Sequence, residues 1–286
     1  MARVREIRSR VAAIKKTQKI TSAMRMISAA RLARAQQAAE ASRAYGEKLR
    51  EIFASVASGL DGDAHPLLAR RANVRKLDVL LVTSDRGLCG AYNANLIKHA
   101  IALVAERRPN LDSVSVIAVG KRGRDFFRRR RIDMPKSWIG LAPTPEHARE
   151  IAAYVTGRYL AGESDELMIV YGRFVSVLTQ TPLALSVIPV LAAVPDAKAG
   201  PTLSYEIEPE PEAFLAAVLP RVIEFAVLRA LLENAASEHG ARMTAMENAT
   251  ENTKELIRSL TLAMNKARQT QITTELTEIV AGAEAL

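Results

Sequence analysis

RVIEFAVLRALLENAASEHGARMTAMENATENTKELIRSLTLAMNKARQTQITTELTEIVAGAEAL, residues 221–286, carries no proline, and Gly240 and Gly282 are its only glycines. Helix breakers are scarce over a length several times that of an ordinary globular helix. A seven-residue frame runs through the segment. One position falls on Val222, Arg229, Ala236, Met243, Thr250, Ile257, Met264 and Gln271. Its partner falls on Phe225, Leu232, His239, Met246, Thr253, Leu260 and Ala267, and ten of these 15 residues are apolar. Apolar residues at alternating steps of three and four make a seam for a second helix. The polar ones make that seam uneven, as for a partner that slides or is itself irregular. Residues 210–286 are expected to form one long coiled-coil helix.

The second helix is found at the other end of the chain. Residues 3–59 contain no proline and no glycine before Gly46. Val4, Ile7, Val11 and Ile14 set a stripe, which continues as Ile20, Met24 and Ile27 and then as Leu32 and Ala35. The change of phase near Gln18 predicts a stutter in the stripe. At 1.5 Å per residue the helix would run roughly 80 Å. Residues 1–59 are assigned to it, and the stretch 60–66, with Asp61, Gly62, Asp63 and Pro66, is expected to break it.

Between the helices the character changes. Residues 77–83 (LDVLLVT), 114–119 (VSVIAV) and 167–171 (LMIVY) are short aliphatic runs bounded by turn residues, and they predict buried strands. Residues 174–178 and 183–190 are further candidates; Pro182 and Pro189 restrict the latter to a sheet edge. Helical stretches at about 91–107, 121–130 and 146–161 alternate with them. Residues 67–208 are therefore expected to be an α/β, Rossmann-like domain with a largely parallel sheet. The fold class is α/β plus a long antiparallel coiled coil, in which the N- and C-terminal helices pair and the α/β domain is inserted between them.

The C-terminal helix is longer by about 20 residues, or roughly 30 Å. Its far end should outrun its partner, yet Ile272, Leu276, Ile279 and Val280 form an apolar stripe there. An apolar stripe with no partner in its own chain is expected to be buried in another protein.

Composition narrows the classes. No run approaches the length of about 20 apolar residues that a membrane-crossing helix needs. A single cysteine, Cys89, excludes an intrachain disulfide and reads as a small buried residue. The net charge is +9, but residues 1–50 hold 13 Lys/Arg against Glu6, Glu40 and Glu47. That one segment carries +10 and the rest of the chain −1, which calls for an acidic or polyanionic partner for the first helix. A nucleic acid is one such partner, although the helix has no aromatic residue before Tyr45. The basic start reads as mature helix rather than as a targeting segment.

No catalytic, cofactor or metal constellation is expected. SDRGLCGAYN, residues 84–93, follows a strand and opens a helix, where backbone N–H groups can hold phosphate. It lacks both the lysine–hydroxyl pair and the GxGxxG pattern of nucleotide loops, so a structural turn is the stronger reading. His65, His99, His147 and His239 are not at metal-ligand spacing. Glu206, Glu208, Glu210 and Glu212 read as a solvated connector. Arg128–Arg131 reads as a solvated helix end, or as a contact for an acidic partner or a lipid headgroup.

QKITSAMRMISAARL at 18–32, SDRGLCG at 84–90, ENAASEHGARMTAMENAT at 233–250 and NKARQTQITTELTEIVAGAEAL at 265–286 resemble the gamma subunits of F-type, proton-translocating ATP synthases. The matching blocks cover essentially the whole chain, most loosely at about 100–205. The resemblance implies a non-catalytic central rotor stalk, one copy within a ring of three alpha and three beta subunits, with its foot on the c-ring beside epsilon. It implies that Met24 and Arg25 meet acidic loops of beta, that Arg242, Arg268 and Gln269 form a catch with beta, and that Tyr205 and Glu208 face the c-ring and epsilon. Contact with the membrane would run only through the complex, on the cytoplasmic side of a bacterial inner membrane.

Overall fold

The computed structural model describes residues 2–57, 65–69, 71, 73–190 and 211–284. The elements are α1 (Ala2–Ala57), β1 (Lys76–Val82), α2 (Tyr92–Arg107), β2 (Ser113–Val119), α3 (Lys121–Arg129), β3 (Ser137–Trp138), α4 (Pro145–Leu160), β4 (Glu166–Phe174), β5 (Gln180–Ile188) and α5 (Pro211–Glu284). The chain divides into two compact units, one of residues 1–29 with 242–286 and one of residues 30–241. Each long helix contributes to both.

In the larger unit the sheet order is β3-β2-β1-β4-β5, with the first four strands parallel and β5 antiparallel to β4. The expected strands at 77–83, 114–119 and 167–171 correspond to β1, β2 and β4, and the three expected helices to α2, α3 and α4. Pro182 lies in edge strand β5, opposite Gly172. Residues 174–178 do not form a strand of their own. Phe174 ends β4, and the chain turns as Val175 and Ser176 N–H donate to the Thr179 carbonyl. The Gln180 side chain reinforces that turn by donating to the carbonyls of Ser176 and Val177.

Period-two alternation sorts the strands between two cores. Leu77, Val79 and Leu81 of β1 pack with Leu96, Ile97 and Ala100 of α2 and Phe127 of α3. Leu80 and Val82 face the other way, toward Ile151 and Val155 of α4 and Leu215, Leu219 and Ile223 of α5. The result is a sheet between two helical layers, the usual solution for strands apolar on both faces. Gly120 joins β2 to α3 at φ 94, and a Cβ there would meet the Thr83 carbonyl oxygen at 2.2 Å, so the position requires glycine.

Charge locks the start of the sheet. Asp165, just before β4, accepts from the N–H groups of Arg75 and Lys76 at 2.9 and 2.8 Å and from the Arg71 guanidinium. Desolvation opposes ionisation of this carboxyl, but the three donors together outweigh it and hold its pKa below the ordinary value. The Arg158 guanidinium grips Asp78 of β1 at 2.7 and 3.1 Å.

α1 and α5 also pair within this unit. Gly46 lies under the Phe225 ring, and Tyr45 stacks at a tilt on the same ring with centroids 5.7 Å apart.

The smaller unit is a two-helix pair. Thr21 and Thr250 hydroxyls meet at 2.8 Å, and Arg25 reaches Glu247 at 3.6 Å, which makes the helices antiparallel. The heptad frame read for the C-terminal helix matches the shielded face: Met243, Met246, Thr250, Thr253, Ile257, Leu260, Met264, Ala267 and Gln271 are all buried or half-buried.

The stutter expected in α1 is absent. Its shielded positions in this unit are Val4, Ile7, Val11, Ile14, Gln18, Thr21, Arg25 and Ser28, an unbroken alternation of three and four, with Ser22 and Met24 beside them. Ile20 and Ile27, read as the shifted stripe, are more than half exposed. Hydroxyl residues take the seam because they satisfy themselves there. Ser28 Oγ donates to the Met24 carbonyl at 2.8 Å, and Thr21 bonds both its own helix and Thr250.

Candidate partner-binding surfaces

A doubly wound sheet offers its ligand site beyond the carboxyl ends of the strands where the order reverses, here between β1 and β4. In this chain α5 fills that crevice. Tyr92 Oη donates to Asn234 Oδ1 at 2.7 Å, Gly172 N–H reaches the same oxygen at 3.4 Å, and Ser237 Oγ donates to the Gly172 carbonyl at 2.8 Å. A Cβ on Gly172 would meet Tyr92 Oη at 2.3 Å. Burial pushes the Tyr92 phenol well above its ordinary pKa, so it stays a donor.

The 84–93 turn is likewise occupied from within. Ser84 N–H donates to Asn93 Oδ1 at 3.0 Å, and Asn93 Nδ2 donates to Ser84 Oγ and to the buried Cys89 sulfur. The Asp85 carboxylate accepts from Lys121 N–H, at the start of α3, and from Gly140 N–H, both at 2.8 Å. Asp85 thus puts a carboxylate within the turn itself and ties it to the start of α3, which disfavours an anion there.

Two of the histidines have local roles. His65 Nδ1 accepts from Leu67 N–H, and His147 N–H and ring engage Thr144 at the start of α4. Among the described residues no group of His, Cys, Asp and Glu could hold a metal ion. A cavity of about 590 Å³ opens between α1, the β4–β5 turn and α5. On its wall, Glu233 takes the Arg229 guanidinium at 2.8 Å through Oε1, while the buried Oε2 has no hydrogen-bond partner among the described residues.

What remains for a partner is surface. α5 has 74 residues against 56 in α1, a difference of 18. The register set by Thr21–Thr250 brings Ala2 opposite Gln269, so α5 runs on beyond the start of its partner. On that extension Ile272, Leu276, Ile279 and Val280 are exposed by 49%, 58%, 67% and 56%. Arg268 and Gln269 are exposed just before it. Met24 is half-buried at the helix seam, and Arg25 is partly engaged by Glu247. Arg242 is buried within the chain. Tyr205 and Glu208 lie outside the described residues. Sequence reading missed the outward apolar positions Ile20, Met26 and Ile27 as a surface, because it assigned Ile20 and Ile27 to the seam.

The family model described as ATP synthase matches residues 3–286. Among curated proteins, the ATP synthase gamma chains of Desulforamulus reducens and Moorella thermoacetica are 44% and 46% identical to this chain, each over the full length of both. The chain belongs to the ATP synthase gamma chain family. Two Euglena gracilis mitochondrial ATP synthase structures contain chains of the same fold, at TM-scores of 0.70 and 0.66 with 23% and 21% identity. They cover 99% and 95% of this chain and 94% and 99% of theirs. In the family's fold, a mixed sheet is flanked by long N- and C-terminal helices, as here. None of these relatives bears a nucleic-acid-binding name. Among the described residues no helix is long and apolar enough to cross a membrane.

Proposed function

We propose that this gamma chain is the central rotor stalk of a proton-translocating ATP synthase, a non-catalytic part of a translocase. One copy would stand within a ring of three alpha and three beta subunits. Residues 1–59 and 210–286 would form the shaft, and residues 67–208 the foot, resting on the c-ring beside epsilon. The complex would sit on the cytoplasmic side of a bacterial inner membrane.

The observation that supports this most is the extension of α5 past its partner helix with its apolar stripe exposed. Such a stripe marks a surface for another protein to cover. Apolar side chains in an apolar sleeve form no directional bonds, so they can be held and still turn. Met24, Arg25, Arg268 and Gln269 would give the grip that smooth packing lacks, whereas Arg242 is buried within its own chain. Guanidinium forks suit carboxylate-rich loops, and their bonds re-form at successive positions. Turning an irregular seam within the ring would press the beta subunits one after another into different conformations, so that proton flow changes nucleotide affinity at sites this chain does not contain.

The test is assembly with alpha and beta subunits using a chain that ends at Gln271. The complex should form in lower yield and lose most proton-driven ATP synthesis in vesicles, while the truncated chain keeps its melting temperature. Undiminished synthesis, or ATP hydrolysis by the isolated chain, would overturn the reading.

A further inference from the structure

The Arg128–Arg131 run ends α3, and α3 forms one wall of a groove whose other wall is α2. The groove has a volume of about 440 Å³. Its lining divides into two kinds. Ile97, Ile101 and Phe126 are apolar, with Ile101 42% exposed. Lys98, Arg122, Arg129 and Arg130 are cationic.

The one carboxylate on the lining, Asp125, is engaged by Arg124 at 2.6 Å. Among the described residues, none of Arg122, Arg128, Arg129, Arg130 or Arg131 forms an ion pair. Arg130 lies over the face of Phe126 at 3.6 Å, a position that keeps its charge at the rim of the apolar strip. Residues 121–131 hold seven Lys/Arg against Asp125 alone, and Arg128–Arg131 are all exposed.

Like charges this dense repel one another and cost stability unless an anion offsets them. The ligand must therefore be multiply anionic. It must also have an apolar part for Ile97, Ile101 and Phe126, which a free phosphate or a nucleic-acid backbone does not supply. Helices line both sides, so no free strand edge is present to pair with an extended acidic peptide. An anionic phospholipid meets every condition: phosphate diesters for the guanidinium and ammonium groups, and glycerol and acyl carbons for the apolar strip.

We propose that the α2–α3 groove and the adjoining Arg128–Arg131 end of α3 bind the surface of an anionic phospholipid bilayer. The groove lies within residues 67–208, the proposed foot, so the proposal adds a direct bilayer contact to that reading, while its test needs no partner subunit.

The purified full chain is tested by sedimentation at 0.15 M salt. The vesicles are phosphatidylcholine alone or phosphatidylcholine with roughly a third phosphatidylglycerol, a composition that sets the negative surface potential. At roughly fivefold per surface cation, Arg122→Ser/Arg129→Ser/Arg130→Ser should weaken binding to the anionic vesicles by about a hundredfold. Because α1 is also basic, Arg8→Ser/Lys15→Ser/Lys16→Ser is the equal-charge control, and it should weaken binding far less. Ile101→Cys carrying an environment-sensitive fluorophore should shift to the blue on anionic vesicles alone; Cys89 is buried and stays unlabelled. That probe decides the matter even if the triple variant fails to fold. Equal loss from the two triple variants, an unmoved fluorophore, or a probe that responds to duplex DNA at lower concentration than to vesicles would overturn the proposal.

Discussion

The two units of this chain are held together by different means. In residues 30–241, apolar residues from sheet and helices fill two cores, and the carboxylates at the start of the sheet meet fixed donors. In residues 1–29 with 242–286, the described buried residues are Val11, Thr21, Ser28, Arg242 and Met246 alone. Three of those five are polar. A pair of helices that buries so little gains little from the hydrophobic effect and leaves Ile20, Met26, Ile27, Leu256 and Leu262 in water. The first unit is complete as a folded object. The second has the surface of something meant to be enclosed.

The largest expected effect that tests this contrast lies in the self-sufficient unit. Asp165→Asn removes a charge that satisfies Arg75 N–H, Lys76 N–H and the Arg71 guanidinium. Hydrogen bonds to an ionised group contribute about 1.5–3 kcal/mol each, and asparagine retains part of them, so a loss of about 2–3 kcal/mol at pH 7 is expected in denaturant unfolding. The pH dependence has a definite sign. The folded-state pKa is lowered, so the stabilisation is present above the unfolded value of 3.8 and is lost as pH falls through the lower folded one. The native chain and the variant should therefore converge in stability below about pH 4, where the unfolded carboxylate takes up its proton. An equal gap at pH 3 and pH 7 would show that Asp165 acts by packing.

A smaller effect separates the two ways in which α1 and α5 pair. At Gly46 a Cβ would stand 2.0 Å from Phe225 ring carbons, whereas at Thr21 a whole hydroxyl-bearing side chain fits against Thr250. Alanine in a helix interior is favoured over glycine by about 1 kcal/mol, so Gly46→Ala would stabilise if packing were loose. The Phe225 ring borders the 590 Å³ cavity and can turn toward it, which limits the overpacking cost to about 2–3 kcal/mol. The net expectation is a loss of about 1–2 kcal/mol, read as a lower melting temperature. A gain would mean that the close approach of the helices is not a constraint.

The α/β layer was legible in the sequence because strands apolar on both faces leave uninterrupted aliphatic runs, as in VLLV of β1 and LMIV of β4. The C-terminal seam was legible because ten of its 15 positions are apolar. The N-terminal seam was not, for a physical reason. Reading it required that apolar residues point inward, while Thr21 and Ser28 occupy the seam with their hydroxyls bonded, and Ile20 and Ile27 point out. The two-residue strand β3 left no periodic signal, and the role of Asp85, which bonds backbone N–H groups at residues 121 and 140, could not be found without the fold. Of the expected contact residues, the tip stripe could be read from spacing, since an exposed apolar stripe keeps helical periodicity whatever covers it. Arg25 could not be placed, because a half-exposed guanidinium serves an intrachain carboxylate and a partner equally well.

The smallest expected effect is the most discriminating. Ile20→Ser/Ile27→Ser replaces two large apolar side chains that the unbroken seam leaves outside the helix pair. If the seam follows Gln18, Thr21, Arg25 and Ser28, the isolated chain should change in stability by no more than about 0.5 kcal/mol, the usual range for exposed positions. If the stutter were real, both residues would be buried, and their loss would cost about 2 kcal/mol or more. Thermal unfolding followed at the helical signal decides between these values. The same double variant should weaken assembly with alpha and beta subunits, because these side chains would then pack against the ring. A change silent in the free chain and damaging in the complex would show that the N-terminal unit keeps its apolar residues for a partner rather than for itself.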